Sequence, residues 1–231
     1  MNTEIEEIKS RYIRRNNITK DRYSFLQPAT ILSEQEKERA LVKWIKANNI
    51  FPLEDKTILE IGCGNGNNIL TFLKFGFDPV NIYANELLEE RYLIAKKKIP
   101  QEIHLIKGNA LDIEVPNNKF DIVYQSMVFS SILDKNFKKD LAVKLYDLTK
   151  PGGGILWYDF IYNNPRNPDV KGVKLNEIKE LFDINPSFIK KITLAPPIAR
   201  IVSKVHPFFY TLFNSTYIFR THLLVWLKKN E

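Results

Sequence analysis

Residues 62–66 read Gly-Cys-Gly-Asn-Gly, and twenty positions beyond the last of these glycines stands a carboxylate, Glu86. Glycines so spaced allow positive φ and a close main-chain approach to a ligand, and a helix starting there offers unpaired N–H groups. A carboxylate at that distance suits acceptance of hydrogen bonds from ribose hydroxyls. Together they fit a nucleoside ligand with an anionic end. A nicotinamide dinucleotide fingerprint wants its third glycine at position 67, where Asn67 stands, so the spacing argues against a dehydrogenase.

A second group follows an apolar run ending at Phe160: Tyr158, Asp159, Asn163, Asn164 and Arg166. Asp159 is the first candidate for a general base or substrate anchor, with Tyr158 beside it; the alternative for Asp159 is to cap its own loop through backbone N–H groups. His206, in an aromatic, proline-broken stretch, is a further candidate for proton transfer, whereas His222 opens the last strand and His104 reads as structural. Arg166, Arg200 and Arg220 could hold a phosphate or carboxylate, or serve as ordinary ion-pair partners. Cys63 is the single cysteine, which excludes an internal disulfide and a cysteine zinc cluster; a small side chain suits its place in the turn. No carboxylates gather at metal-ligand spacing, and no metal is expected.

These residues need a frame. Thr57–Ile61 reads as a buried parallel strand and 67–75 as a helix with apolar spacing at Ile69, Leu70, Phe72 and Leu73. Ahead of them, Ser33 and Glu36 stand at capping-box spacing, predicting a helix from Ser33 whose face carries Leu41, Trp44 and Ile45. Beyond come strands at "VNIYANE", "EIHLIKG" and "FDIVYQSMVF", and helices at "EERYLIAKKK" and "FKKDLAVKLYDLTKPGG", the latter ended by proline and glycine; "GILWYDF" is a further strand. Such alternation argues for a parallel sheet covered on both faces. Near the end, "LNEIKELF" predicts a short helix, "FIKKITLA" and "THLLVWLKK" strands, and residues 196–220 a helical cap or a lid over a pocket.

The chain has 231 residues, 44% of them hydrophobic and 12% aromatic, enough for one domain with a full core. No apolar run approaches the roughly 20 residues of a membrane span, and "MNTEIEEIKS" lacks the features of a signal peptide, so a cytoplasmic location is expected. The formal charge of +7 raises nucleic acid as a partner, but the lysines are scattered along helices and no zinc knuckle, aromatic-basic signature or basic arm is present. Nucleic acid is disfavoured, and the charge would steer an anionic small substrate.

Five motifs taken in order, "LEIGCGNG", "NELLEERYLIAKKK", "KGNALDI", "FDIVYQSMVFSSI" and "LTKPGGGILWYDF", resemble the class I methyltransferases that use S-adenosylmethionine, over residues 57–160. "YDFIYNNPRNPDVKG" and "LAPPIAR" further resemble a bacterial subgroup of uncharacterised small-molecule methyltransferases. The resemblance implies a single three-layer αβα domain over 1–231, with strand order 3-2-1-4-5-7-6 and strand 7 antiparallel. It also implies that residues 1–32 fold over the cofactor, where Tyr23 or Phe25 could shield the sulfonium. Carried over residue by residue, Glu60, Gly62, Cys63, Gly64 and Gly66 would face the methionine and ribose, Glu86 the ribose hydroxyls and Leu87 the adenine face. Asn109 and Ala110 would meet the adenine edge, and Gln125 with Ser126 would line the pocket below the sulfonium. Asn109 stands where many relatives have aspartate; its alternative is a loop residue bonding its own backbone.

On this reading the chain moves a methyl group from S-adenosylmethionine to a small molecule, at a hydroxyl oxygen, with Asn163, Asn164, Arg166 and Arg200 on the acceptor. An RNA or protein methyltransferase, a nicotinamide-dependent enzyme and a non-catalytic binding or scaffold protein remain the alternatives. The oligomeric state is open.

Overall fold

The structure, a computed structural model, describes residues 2–16, 23–165 and 167–230. Two helices, α1 (Asn2–Asn16) and α2 (Pro28–Ala47), precede the first strand. The chain then alternates through β1 (Ile58–Ile61), α3 (Asn67–Phe75), β2 (Ile82–Glu86), α4 (Glu89–Lys98), β3 (His104–Lys107), β4 (Phe120–Ser126), α5 (Lys135–Leu148) and β5 (Thr149–Phe160). It closes with α6 (Leu175–Phe182), β6 (Phe188–Leu194), the helices α7 (Pro196–Val205) and α8 (Pro207–Ser215), and β7 (Arg220–Lys228).

Among the described residues seven strands form one sheet in the order β3-β2-β1-β4-β5-β7-β6. Strands β1 to β5 pair in parallel, while β7 is antiparallel to both β5 and β6. Strand β6 therefore runs with β1–β5, and one sheet edge collects everything that leaves their C-terminal ends: the glycine turn, Glu86, the exits of β4 and β5, and the α7–α8 hairpin. This is the strand order and the antiparallel seventh strand that the family resemblance implied.

Strand alternation sends side chains to two separate cores. Leu59, Ile61, Val123, Trp157 and Val225 face one side, under Ile8 of α1, Leu141 and Leu145 of α5 and Ile178 of α6. Ile58, Tyr124, Leu156, Leu224 and Trp226 face the other, under Leu41 and Trp44 of α2, Phe72 of α3 and Ala95 of α4. Among the described residues no helix is long and apolar enough to cross a membrane.

Two boundaries differ from expectation. Helix α2 starts at Pro28, whose ring pre-sets a helical φ, and Ser33 lies inside it, donating back to the Ala29 carbonyl at 2.8 Å instead of capping. Helix α5 ends at Leu148, and Lys150–Gly154 already belongs to β5. The glycines there serve close strand approach: a Cβ on Gly153 would lie 2.6 Å from the Asp121 carbonyl oxygen, and one on Gly154 2.5 Å from the Trp226 ring.

Candidate functional site

The turn after β1 carries three left-handed glycines, Gly62 (φ 65°), Gly64 (φ 57°) and Gly66 (φ 78°). They are not equivalent. A Cβ on Gly62 would sit 2.7 Å from Val128 Cγ2 and one on Gly66 2.8 Å from Ile99 Cγ2, so packing as well as φ demands glycine at both. At Gly64 a Cβ would meet nothing nearer than the Arg91 guanidinium at 4.0 Å. Gly64 thus presents bare backbone to open space, next to the start of α3, which has no side-chain cap.

Two carboxylates flank this turn. Glu86, buried at the end of β2, accepts the Gly64 N–H at 2.7 Å on one oxygen and the Leu88 N–H at 2.8 Å on the other, so it fixes the turn's shape while each oxygen keeps a lone pair. Leu87 between them is half-buried. Glu60, one strand over and fully buried, accepts from the Asn68 amide at 2.6 Å on Oε1; Asn68 in turn accepts from Lys37 at 3.0 Å. Among the described residues Oε2 of Glu60 is buried with no partner. Burial raises the Glu60 pKa to about 7, against the pull of Asn68 and Lys37. Burial, with Glu60 and Glu86 nearby, pushes the Cys63 thiol up, which leaves Cys63 a small packing residue in the turn.

At the next exits, the Asn109 side-chain oxygen accepts the Leu111 N–H at 3.2 Å and its amide donates to Asp112 at 3.2 Å, capping the short turn that buries Ala110. This is the local, backbone-bonding role for Asn109. Gln125 is buried; its Oε1 accepts the Val128 N–H at 3.1 Å and its Nε2 has no partner. Ser126 shares a sheet face with Glu60 and Tyr124, whereas Gln125 faces the other side.

The exit of β5 splits in the same way. Tyr158 faces α2: its hydroxyl shares a 2.8 Å hydrogen bond with Thr193 Oγ1, its ring stacks on His222 with centroids 5.1 Å apart, and Lys37 Nζ lies 5.4 Å from the ring. Burial raises the Tyr158 pKa well above its ordinary value; burial, helped by Lys37, lowers that of His222 to about 3, so the imidazole is neutral. Asp159 faces the opposite layer, fully buried, its two oxygens accepting the Ser130 N–H at 3.0 Å and the Phe160 N–H at 2.9 Å. Strand alternation sends Tyr158 and Asp159 to opposite faces, and Asp159 bonds backbone N–H groups both of its own strand end, at Phe160, and of the β4 exit, at Ser130.

The remaining candidates scatter. His206 is exposed between α7 and α8, its Nδ1 accepting the Phe208 N–H at 3.1 Å as a helix cap. Asn163 and Asn164 are exposed; Asn163 accepts the Gly172 N–H at 3.0 Å beside a cavity of about 440 Å³ lined by Ile161, Tyr162, Lys171, Lys174 and Glu177. Arg200 is half-buried on α7, and Tyr23 is exposed ahead of α2, as is Phe25. Arg166 lies outside the described residues.

Some polar residues that the sequence reading did not select meet at this edge. Glu36 accepts the Thr193 N–H at 3.0 Å and the Tyr210 hydroxyl at 2.9 Å, tying α2 to β6 and α8, and Thr193 holds a left-handed φ of 67°. A signal existed: Glu36 and Lys37 fall one turn before Ala40 and Leu41 on the buried face of α2. At the other end of the site, α1 brings Tyr12 beneath Arg91, 4.5 Å from ring centroid to guanidinium, next to Gly64. Among the described residues no cluster of His, Cys, Asp and Glu could hold a metal ion.

Residues 58–153 match the model of a methyltransferase domain. A protein of Bacillus mycoides named an uncharacterized methyltransferase is 34% identical over 106 residues, 46% of this chain and 47% of that protein; the chain spans about half the length of the curated relatives it matches. An S-adenosylmethionine-dependent methyltransferase from Mesorhizobium loti superposes with a TM-score of 0.58 at 14% identity, over 81% of this chain and 97% of that one. The geranyl diphosphate C-methyltransferase of Streptomyces coelicolor, solved with S-adenosyl-L-homocysteine, superposes at 0.62 with 14% identity, over 83% of this chain and 77% of that one. By its match over residues 58–153 and by its sheet order, the chain carries the class I methyltransferase fold.

Proposed function

We propose that the chain is an S-adenosylmethionine-dependent methyltransferase acting on a small molecule at a hydroxyl oxygen. One observation carries the cofactor assignment: the bare backbone at Gly64 lies between a carboxylate with spare lone pairs, Glu86, and a buried carboxylate oxygen with no partner, Glu60 Oε2. These residues fit the group. Glu86 would accept from the ribose hydroxyls, Glu60 would accept from the cationic methionine end, and the turn would pass against the nucleoside. Leu87, Asn109 and Ala110 would border the adenine, the last two through backbone as much as side chain because Asn109 is already used locally. Of the β4 pair, Ser126, which shares the sheet face of Glu60, would line the pocket below the sulfonium.

When bound, the cofactor supplies an electrophilic methyl group that needs no further activation. The protein's part is to hold the acceptor in line and exclude water. The α1 segment, lying beside the turn through Tyr12 and Arg91, and the 196–220 cap, latched by Glu36 to Tyr210, would enclose the reacting centre. Asp159 is capped, Tyr158 is bonded and its pKa raised, and His206 is exposed, so positioning carries the rate without a dedicated base on these residues. Calorimetry with S-adenosylmethionine and with NAD tests the cofactor, and a metabolite screen for labelled-methyl transfer tests the acceptor. Binding of NAD in place of S-adenosylmethionine would overturn the reading, and transfer to RNA or protein alone would replace the acceptor class.

A further inference from the structure

The α7–α8 hairpin leaves β6 at the same sheet edge as the glycine turn, and its inner side is settled. Ala199 and Tyr210 are buried with Leu194, and Val202 and Phe213 pack against them. Its outer side is unlike that of a cap helix, which turns polar residues to water. Ile201 and Val205, one turn apart on α7, are 70% and 71% exposed, and Phe208 and Leu212, one turn apart on α8, are 59% and 48% exposed. Lys204 stands exposed among them. Residues 184–230 hold seven basic residues and no acidic one; Arg200 and Lys204 lie on α7 itself and Arg220 follows α8, whereas Lys228 and Lys229 end β7 at the opposite sheet edge.

We propose that the outer face of the α7–α8 hairpin docks on the surface of an anionic lipid bilayer. Ile201, Val205, Phe208 and Leu212 enter the headgroup region, and Lys204 stays at the level of the lipid phosphates. Apolar and aromatic side chains beside an exposed lysine, with no acidic residue near in sequence, are the composition of an interfacial element that binds anionic lipid. A second copy of the chain is the poorer occupant, because two such faces would bring like charges together as they shed water. The inference goes beyond the cofactor assignment and does not depend on it. Its consequence is that an acceptor carried in a membrane would reach the reactive edge without crossing water.

The test is co-sedimentation of the full chain with vesicles of phosphatidylcholine alone and with vesicles containing about one-third phosphatidylglycerol, at low and high salt. Binding should be at least about tenfold stronger to the anionic vesicles and should weaken with salt. Two double variants, Ile201→Gln with Val205→Gln and Phe208→Ser with Leu212→Ser, should each abolish it with an unchanged near-ultraviolet dichroism spectrum; if one fails to fold, the other decides. Lys204→Glu should lower it several-fold. Equal or absent binding to both vesicles overturns the proposal. So does a wild-type dimer in light scattering that the same variants dissolve, since the face then belongs to a second copy.

Discussion

Strands β1 and β5 each deliver a fully buried carboxylate to the same sheet edge, and burial lifts both Glu60 and Asp159 to about 7. The two regions are nonetheless finished differently. At β5 each Asp159 oxygen accepts a backbone N–H, from Ser130 and from Phe160, so the charge is spent on holding the β4 exit in place. At β1 only one Glu60 oxygen has a donor, the Asn68 amide, and the other is buried with none. A buried acceptor without a partner costs about 1–3 kcal/mol, and such a cost persists where a ligand later fills it. The shift in pKa does not separate a structural carboxylate from a binding one; the hydrogen-bond partners do.

If the β1 exit is the binding region, its most exposed backbone should be its weakest point. Gly64→Val adds branches into open ligand space and imposes roughly 1–2 kcal/mol of left-handed strain, so S-adenosylmethionine affinity should fall by more than about a hundredfold. Gly76→Val is the control: Gly76 has φ 107° with nothing within 4 Å of a Cβ, at the far end of α3. It should lose stability and keep affinity. Calorimetry on both folded variants checks the pair, and normal binding by Gly64→Val would make the turn structural only.

Glu86→Ala comes next. Loss of the ribose acceptor should weaken S-adenosylmethionine binding by about 2 to 3 kcal/mol. Because Glu86 also holds the Gly64 N–H, the variant should lose some stability too, which Glu86→Gln should partly restore by keeping one acceptor. Unchanged affinity in a folded Glu86→Ala would remove the residue from the site.

The carboxylate pair itself gives a crossed prediction. Asp159→Asn turns an amide donor toward one of two backbone donors, so it should cost about 1–3 kcal/mol of stability and little cofactor affinity. Glu60→Gln keeps an acceptor for Asn68 and loses the charge, so it should cost about tenfold in affinity and little stability. Denaturant melts and calorimetry on the two variants, compared side by side, would sink the contrast if the effects came out reversed or equal.

Much of this was legible in the sequence, for reasons that particular residues make clear. Helices α4 and α6 occupy the stretches their patterns predicted, and the five ordered motifs fit the observed strand order. Local signals sufficed because the turn, the β2 carboxylate and the apolar strands are each written within a few residues. What failed was long-range. Ser33 and Glu36 have the spacing of a cap, yet the partners of Glu36 are Thr193 and Tyr210, distant in sequence and brought near only by the fold. Tyr158 and Asp159 are adjacent in the sequence, yet strand alternation sends them to opposite faces.

The smallest effect distinguishes the two carboxylates by their protons. Each has a folded pKa near 7, raised from an ordinary value of 4.5 for Glu60 and 3.8 for Asp159, so the folded chain holds protons that the unfolded chain has released. The stability each contributes is fully present below its unfolded value and is lost as pH rises toward about 7, levelling off above it. Tm against pH should therefore show a descending limb in that window, shallower in Glu60→Gln and in Asp159→Asn. A bound sulfonium and ammonium favour the ionised form of a neighbouring carboxylate, and only Glu60 has an oxygen left to meet them. Saturating S-adenosylmethionine should remove the Glu60 share of the slope and leave that of Asp159, releasing a fraction of a proton on binding at pH 7. Titrations at pH 7 in phosphate and in Tris, whose ionisation enthalpies differ, measure that number directly. It should vanish in Glu60→Gln and persist in Asp159→Asn; release that persists in Glu60→Gln would place the titrating group elsewhere and remove the distinction between the two exits.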